Sequence, residues 1–181
     1  MAEPTILLLS TSDTDLISAR SSGKDYRWAN PARLSDEELP DLLADASIAV
    51  VRILGGYRAW QSGIDTVIAS GVPTVLVSGE QAADADLMDR STAPAGIALQ
   101  THLYLAHGGV DNLRQLHAFL SDTVLMTGYG FAPHGYEGSP IPFKKTSSYP
   151  PEETYPPSYE HTCRVTTPGG CVHIAGHGWD E

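Results

Sequence analysis

Cysteine is absent from most of this 181-residue chain, and its two examples, Cys163 and Cys171, lie close to the end. No disulfide framework can therefore hold the body together.

Positive charge is also scarce: 11 Lys and Arg face 22 Asp and Glu, which gives a net charge of -11. This charge argues against binding nucleic acid or an anionic membrane. The opening MAEPTILLLSTSDTD has no basic leader and no long apolar run, so we expect a cytoplasmic protein without a membrane span.

Several sequence signatures of catalysis and nucleotide binding are also missing. Gly128 and Gly130 form a GxG pair, but Pro133 follows where a third glycine is needed, and no GxxxxGK[ST] motif occurs. The body contains no nucleophile elbow and no cysteine, which leaves no Ser–His–Asp or Cys–His set to propose. A phosphoacceptor domain needs a lysine after a later strand, whereas Lys24 is the body's one lysine. We assign no catalytic residue.

The end of the chain differs in composition from the rest. From Pro133 onward there is no leucine, one alanine, and 8 of the 13 prolines. So few apolar side chains cannot offset the entropy lost on ordering the chain. We therefore predict a domain over residues 1–131 and a disordered, proline-rich tail over 132–181.

Short apolar runs alternate with helical patterns through the body. Three runs predict buried strands, at Ile6–Ser10, Ile48–Leu54 and Val72–Ser78, and Ser21–Pro31 is interpreted as a loop. The helical patterns begin near Asp13 or Thr14 and then cover Asp36–Ala44, Tyr57–Ala69, Asp84–Arg90 (a short helix or a loop), Ala95–His107 and Asp111–Met126. This order predicts a small three-layer α/β domain with a parallel, flavodoxin-like sheet. Only three strands are clear, and we expect a further strand to be missing because the chain was meant to continue beyond Gly130.

Ligands of open parallel sheets bind at the carboxyl ends of the strands. Three predicted loops lie there, and one of them carries Arg52. A guanidinium at a strand end needs a partner, and Asp13, Asp15 or Glu80 could supply it. The pair either fixes the loops or leaves Arg52 to bind a ligand; both interpretations stay open.

Histidines and cysteines suggest at most a weak metal site. His102 and His107 are five residues apart and do not share a helix face, so we expect these two and His117 to be solvated or to cap helices. The tail holds a looser set of soft ligands suited to zinc or cobalt. It comprises Cys163, Cys171, His173 and His177, with His161 nearby.

Spaced motifs in the body resemble the N-terminal region of the cobaltochelatase large subunit, a family related to the porphyrin-binding subunit of magnesium chelatase. The resemblance covers about Pro4–Phe131. Its motifs are Arg52-Ile-Leu-Gly-Gly56 with Trp60, Val77-Ser-Gly-Glu80 with Asp86 and Ser91, and His107-Gly-Gly109 with Asn112. Loop residues from these motifs and from the first loop are candidates for contacts with a ligand or partner. They are Asp13, Arg52, Gly55, Gly56, Trp60, Ser78, Glu80 and Asn112.

The resemblance implies a subunit of an ATP-dependent enzyme that inserts cobalt into a corrin ring in aerobic cobalamin synthesis. It also implies AAA+ type partner subunits that hydrolyse ATP. Family members are several times longer, so we expect this fragment to be inactive alone and to hold no cofactor itself. Cobalt and ATP belong to the parent complex.

The tail departs from that family, and two explanations remain open. Back-translation of residues 144–160 in a neighbouring frame can give EDVLLPTRGDLPAVL, which has the apolar content that the tail lacks. We hypothesise that the tail is a frameshift product of a truncated subunit; the alternative is a genuine linker with a metal-binding end. The chain could then be a stand-alone module that binds a small molecule or partner, or a metal carrier.

Overall fold

The computed structural model describes residues 3–35, 37–128, 130–132 and 134, and the backbone of 166–167 and 170–171. The chain divides into two compact units, Met1–Ile141 and Pro142–Glu181. In the second unit, strands β5 (Thr166–Thr167) and β6 (Gly170–Cys171) pair antiparallel. The predicted tail disorder and the cysteine and histidine ligand set lie outside the described residues, apart from the Cys171 backbone.

The first unit is built on four parallel strands in the order β2-β1-β3-β4. The strands are β1 (Ile6–Ser10), β2 (Tyr26–Ala29), β3 (Ile48–Ile53) and β4 (Thr74–Ser78). The helices are α1 (Asp13–Ser21), α2 (Leu39–Ala44), α3 (Gln61–Ala69), α4 (Ala85–Arg90), α5 (Ala95–His107) and α6 (Val110–Val124). Short 3-10 turns cover Pro31–Arg33 and Tyr57–Trp60.

Two separate apolar layers cover the faces of the sheet. Ile6, Leu8 and Val50 pack on one face against side chains of α5 and α6. Leu7, Leu9 and their neighbours pack on the other face against α2, α3 and α4. Central parallel strands are covered on both faces, which is why they are continuous apolar runs in the sequence. The predicted three-layer α/β fold with a parallel sheet is confirmed.

The prediction of a loop over Ser21–Pro31 was wrong, because this segment contains β2. Tyr26 fills the core, and its hydroxyl donates to the carbonyl of Leu113, 87 residues away, at 2.8 Å. Burial raises the pKa of Tyr26 well above its usual value. The sheet therefore has a fourth strand within the body, and its place is fixed by a contact between residues far apart in the sequence.

Helix boundaries follow the sequence closely, except at the starts of α2 and α3. The helix predicted from Tyr57 begins as α3 only at Gln61, because Tyr57–Trp60 forms a 3-10 turn. The Glu38 carboxylate accepts a hydrogen bond from the backbone N–H of Ser35 at 3.0 Å, as expected for half of a capping box. The Ser35 hydroxyl, however, also donates to that carboxylate instead of capping the helix. The α-helix consequently begins at Leu39, three residues after the predicted start.

Candidate functional site

The carboxyl ends of β1, β3 and β4 meet around one buried ion pair. Arg52 near the end of β3 is 7% exposed, and Asp15 in the first turn of α1 is 5% exposed. Nη1 of Arg52 lies 3.0 Å from Oδ1 and 2.9 Å from Oδ2 of Asp15. Of the three acids that the sequence offered as partners, the structure selects Asp15.

Arg52 also ties the ion pair to three backbone carbonyls in two other segments, α5 and the end of β4. Its Nη1 donates to the carbonyl of Leu105 in α5 at 3.0 Å. Its Nε and Nη2 donate to the carbonyls of Ser78 and Gly79 at 3.4 and 3.3 Å. All three guanidinium nitrogens therefore bond to acceptors within the domain, which is the arrangement that stabilises a buried cation.

The carboxylate side of the pair is anchored equally well. The Ser10 hydroxyl donates to Oδ2 of Asp15 at 2.7 Å and accepts from the backbone N–H of Ser12 at 3.1 Å. The backbone N–H of Thr11 donates to the carbonyl of Arg52 at 3.1 Å. These hydrogen bonds hold the loop after β1 against the end of β3.

The other two candidate partners of Arg52 lie elsewhere. Asp13 is exposed and accepts from Asn30 Nδ2 at 3.0 Å and Arg33 Nη2 at 2.8 Å. These bonds hold the pKa of Asp13 below its usual value. Glu80 is exposed, and its backbone N–H donates to the Ser78 hydroxyl at 3.0 Å.

Glycines shape the loop after β3. Gly55 and Gly56 have φ angles of +87° and +74°, which L side chains rarely adopt. Gly79, which sequence reasoning did not include, packs on the same loop: a Cβ there would lie 2.8 Å from the backbone nitrogen of Leu54. The Val77-Ser-Gly-Glu80 motif could have revealed it, since a glycine at a strand end often marks close backbone contact.

Trp60 and Asn112 support neighbouring elements. The Trp60 ring lies directly over Gly63 in α3, where a Cβ would be 1.9 Å from a ring carbon. The Asn112 side chain donates to the carbonyl of Gly108 at 2.7 Å and closes the turn between α5 and α6. Both contacts are structural, and a role for these residues in binding stays a prediction.

The expectation that His102 and His117 are solvated or cap helices was wrong. They are 2% and 1% exposed, and the Nε2 atom of each lies within hydrogen-bond distance of a backbone carbonyl. The carbonyl is that of Gln81 for His102, at 3.0 Å, and that of Pro4 for His117, at 2.9 Å. Burial lowers the pKa of His117, an effect partly offset by the Glu3 carboxylate. His107 at the end of α5 is exposed, as expected.

The described part of the chain shows neither a metal-binding cluster nor a membrane span. No group of three or more His, Cys, Asp or Glu side chains is placed there to hold a metal ion. Among the same residues, no helix is long and apolar enough to cross a membrane.

The fold and the loops define an open-sheet α/β domain whose strand ends are locked by a buried arginine–carboxylate pair. No family model matches the chain. It is 80% identical to the catalytic subunit of cobaltochelatase from Mycobacterium tuberculosis, with a TM-score of 0.74, over 76% of this chain and 12% of that one. It is also 29% identical over 141 residues to the aerobic cobaltochelatase subunit CobN of Pseudomonas aeruginosa.

The two relatives confirm the resemblance that the motifs predicted. The second match covers 70% of this chain and 11% of the relative. This chain is thus similar to the large subunit of cobaltochelatase and spans about an eighth or less of the length of these relatives.

Proposed function

We propose that this chain represents the N-terminal head of a cobaltochelatase large subunit, with a boundary near residue 131. The observation that carries this proposal is the 80% identity to the M. tuberculosis catalytic subunit. The parent subunit would insert cobalt into a corrin ring, while AAA+ type partner subunits hydrolyse ATP in the cytoplasm. In that assembly, cobalt and the corrin are substrates of the whole subunit.

The head is inactive by itself and supplies a rigid frame to the rest of the subunit. Its extent supports this role, because it matches only 12% of the relative. The charged pair at the carboxyl ends of the strands, Arg52 and Asp15, is buried, and its two members are bonded to each other. Among the candidate residues, Gly55 and Glu80 are exposed in the loops that this pair fixes, so we assign contacts with partners to these loops.

A cobalt-insertion assay tests the proposal. The enzyme would be assembled from partner subunits with one of three large-subunit preparations: the intact M. tuberculosis subunit, this chain alone, or a chimera. In the chimera, residues 4–131 of this chain replace the matching segment of the M. tuberculosis subunit. We expect turnover with the intact subunit and the chimera, and none with this chain alone.

Two results would overturn the proposal. Turnover by this chain alone would show that the head is catalytic. A folded chimera without turnover would show that the head does not perform the role of its relative. Circular dichroism and sedimentation of the chimera separate that second result from simple misfolding.

A further inference from the structure

We propose that a cleft between α1 and the free edge of β2 binds an extended segment from the rest of the large subunit. The segment would place an apolar side chain in the cleft and a carboxylate beside Arg20. This inference rests on the proposed function, since it takes the occupant from the parent subunit. Three observations carry it: an asymmetry between the sheet edges, an apolar cleft, and an unpaired cation.

The edge of the sheet at β4 is closed by hydroxyl groups from the turn after α4. Ser91 Oγ accepts from the backbone N–H of Leu76 at 2.8 Å. Thr92 Oγ1 accepts from the N–H of Thr74 at 2.7 Å, and the N–H of Thr92 returns a bond to the Thr74 carbonyl at 2.9 Å. Occupied backbone groups protect an edge strand from pairing with another chain.

The opposite edge, at β2, has no such closure among the described residues. The N–H of Ile6 donates to the carbonyl of Asp25 at 2.9 Å, so the alternating groups that face away from β1 belong to Tyr26 and Trp28. The N–H of Tyr26 bonds locally to Lys24. The backbone of Trp28 has no hydrogen-bond partner in the described part of the chain, so it can accept an added strand.

An apolar cleft of about 520 Å³ lies beside this edge. Its apolar walls come from both elements and the following turn, namely Leu16, Ile17, Trp28, Ala29 and Leu34. Ile17 is 65% exposed and Trp28 is 41% exposed. Large apolar side chains grouped around a cleft, with polar groups at the rim, are typical of an interaction site.

The rim charges indicate the chemistry of the segment. Asp13 is paired with Arg33, and the Glu38 carboxylate is bonded to Ser35. Arg20, three residues after Ile17 on α1, lines the cleft and has no ion pair or hydrogen bond within the described residues. An unpaired guanidinium at the rim favours a carboxylate on the incoming segment.

The rest of the subunit suits this role better than a second copy of the chain. Two copies would each bring a net charge of -11, and their repulsion opposes association. The relative, by contrast, has 88% of its length outside the matched part, since the match covers 12% of it. A covalently linked segment also binds at a high effective concentration.

Cysteine labelling in the chimera described above tests the inference. Ile17→Cys would be introduced into this chain and into the chimera. The rate of maleimide labelling would be measured by mass spectrometry of the peptide that contains position 17. We expect labelling in the chimera to be about tenfold or more slower than in this chain, because docking must open before the thiol reacts. Leu99→Cys is the control: Leu99 is 41% exposed, on α5, and its rate should be the same in both proteins.

A charge reversal provides the second arm. Arg20→Glu should speed labelling of Ile17→Cys in the chimera by about tenfold, since it removes the pair with the carboxylate. Arg58→Glu, at another exposed arginine without a partner among the described residues, should leave the rate unchanged. Equal labelling of Ile17→Cys in the chimera and the free chain would overturn the inference, as would equal effects of the two reversals.

The outcomes also separate this inference from the proposed function. A chimera that inserts cobalt while Ile17→Cys stays fully reactive would leave the function standing and remove the docking site. If the labelling rate of Ile17→Cys in the free chain were low and rose on dilution, the occupant would be a second copy of the chain. That result would likewise overturn the inference.

Discussion

At the scale of single residues, the buried pair of Arg52 and Asp15 has the largest consequences. Both side chains are buried, and each is bonded to a group from another element: Asp15 to Ser10 of β1, and Arg52 to the Leu105 carbonyl of α5. Desolvating two charges has a large cost, so such a pair contributes little net stability compared with apolar residues of the same volume. Removing one partner is different, because the other charge is then left buried and alone.

Arg52→Ala should therefore lower the free energy of unfolding by about 3–5 kcal/mol. The exposed pair of Arg33 and Asp13 supplies the control, and Arg33→Ala should cost less than about 1 kcal/mol. Urea denaturation followed by circular dichroism measures both values. If Arg52→Ala lowered the free energy of unfolding as little as Arg33→Ala does, the buried pair would not hold the loops.

His117 makes stability depend on pH. Burial holds its pKa below the ordinary value of 6.5, so the unfolded chain binds a proton more readily than the folded domain. Stability from this source is complete above the unfolded pKa and is lost as the pH falls below about 6.5. We expect His117→Gln to flatten the decline in the urea midpoint between about pH 7.5 and 5.5, whereas His107→Gln should not. Identical slopes for wild type and His117→Gln would contradict this prediction.

At the scale of elements, the contact between Trp60 and Gly63 joins the 3-10 turn to α3. Gly63→Ala should destabilise the domain by about 1–3 kcal/mol, because the new methyl group overlaps the indole ring. Gly96→Ala in α5 is the matched control, since nothing lies within 4 Å of its added Cβ. That change should stabilise the domain by about 0.4–1 kcal/mol. Thermal unfolding of the two variants measures the contrast, and a shift of the same sign in both would refute it.

The closure of the β4 edge gives a second prediction at this scale. Ser91→Ala and Thr92→Val together should cost about 1–3 kcal/mol, because the backbone N–H groups of Leu76 and Thr74 lose their acceptors. Thr123→Val is a suitable control, as the Thr123 hydroxyl only donates to a carbonyl within its own helix. Chemical denaturation checks the difference, and sedimentation reports whether the opened edge leads to association.

Most elements could be predicted from sequence because their signals are local. The apolar runs of β1, β3 and β4 identified three strands, and the bounds predicted for α5 match those observed. The strand β2 was not predicted, because YRWA is short and its residues range from buried to exposed. Its pairing depends on Tyr26 contacting α6, and no local pattern reports such a contact.

At the scale of the whole molecule, the core is complete well before the tail. The last buried apolar residue of the described chain is Leu120. A chain that ends at residue 141, the last position of the first unit, should therefore unfold within about 2 °C of the full chain. Differential scanning calorimetry of both proteins makes the comparison. A much lower midpoint would show that residues 142–181 contribute to the core.

The same pair of proteins tests the alternative of a metal carrier. If the tail holds a metal through Cys163, Cys171, His173 and His177, cobalt or zinc should bind the full chain and not the shorter one. Calorimetric titration, with Cys171→Ser as the matched variant, measures the difference. Equal binding by wild type and Cys171→Ser would exclude this tail site.

The sequence by itself determined the three-layer α/β plan, the need for a partner at Arg52, and the resemblance to cobaltochelatase large subunits. These follow from local periodicity and from motifs that can be compared one by one. Only the tertiary structure decided that Asp15 is the partner of Arg52, that Tyr26–Ala29 joins the sheet, and that His102 and His117 are buried. Each of these depends on packing between residues distant in the chain, where burial and geometry choose among partners that the sequence leaves equivalent.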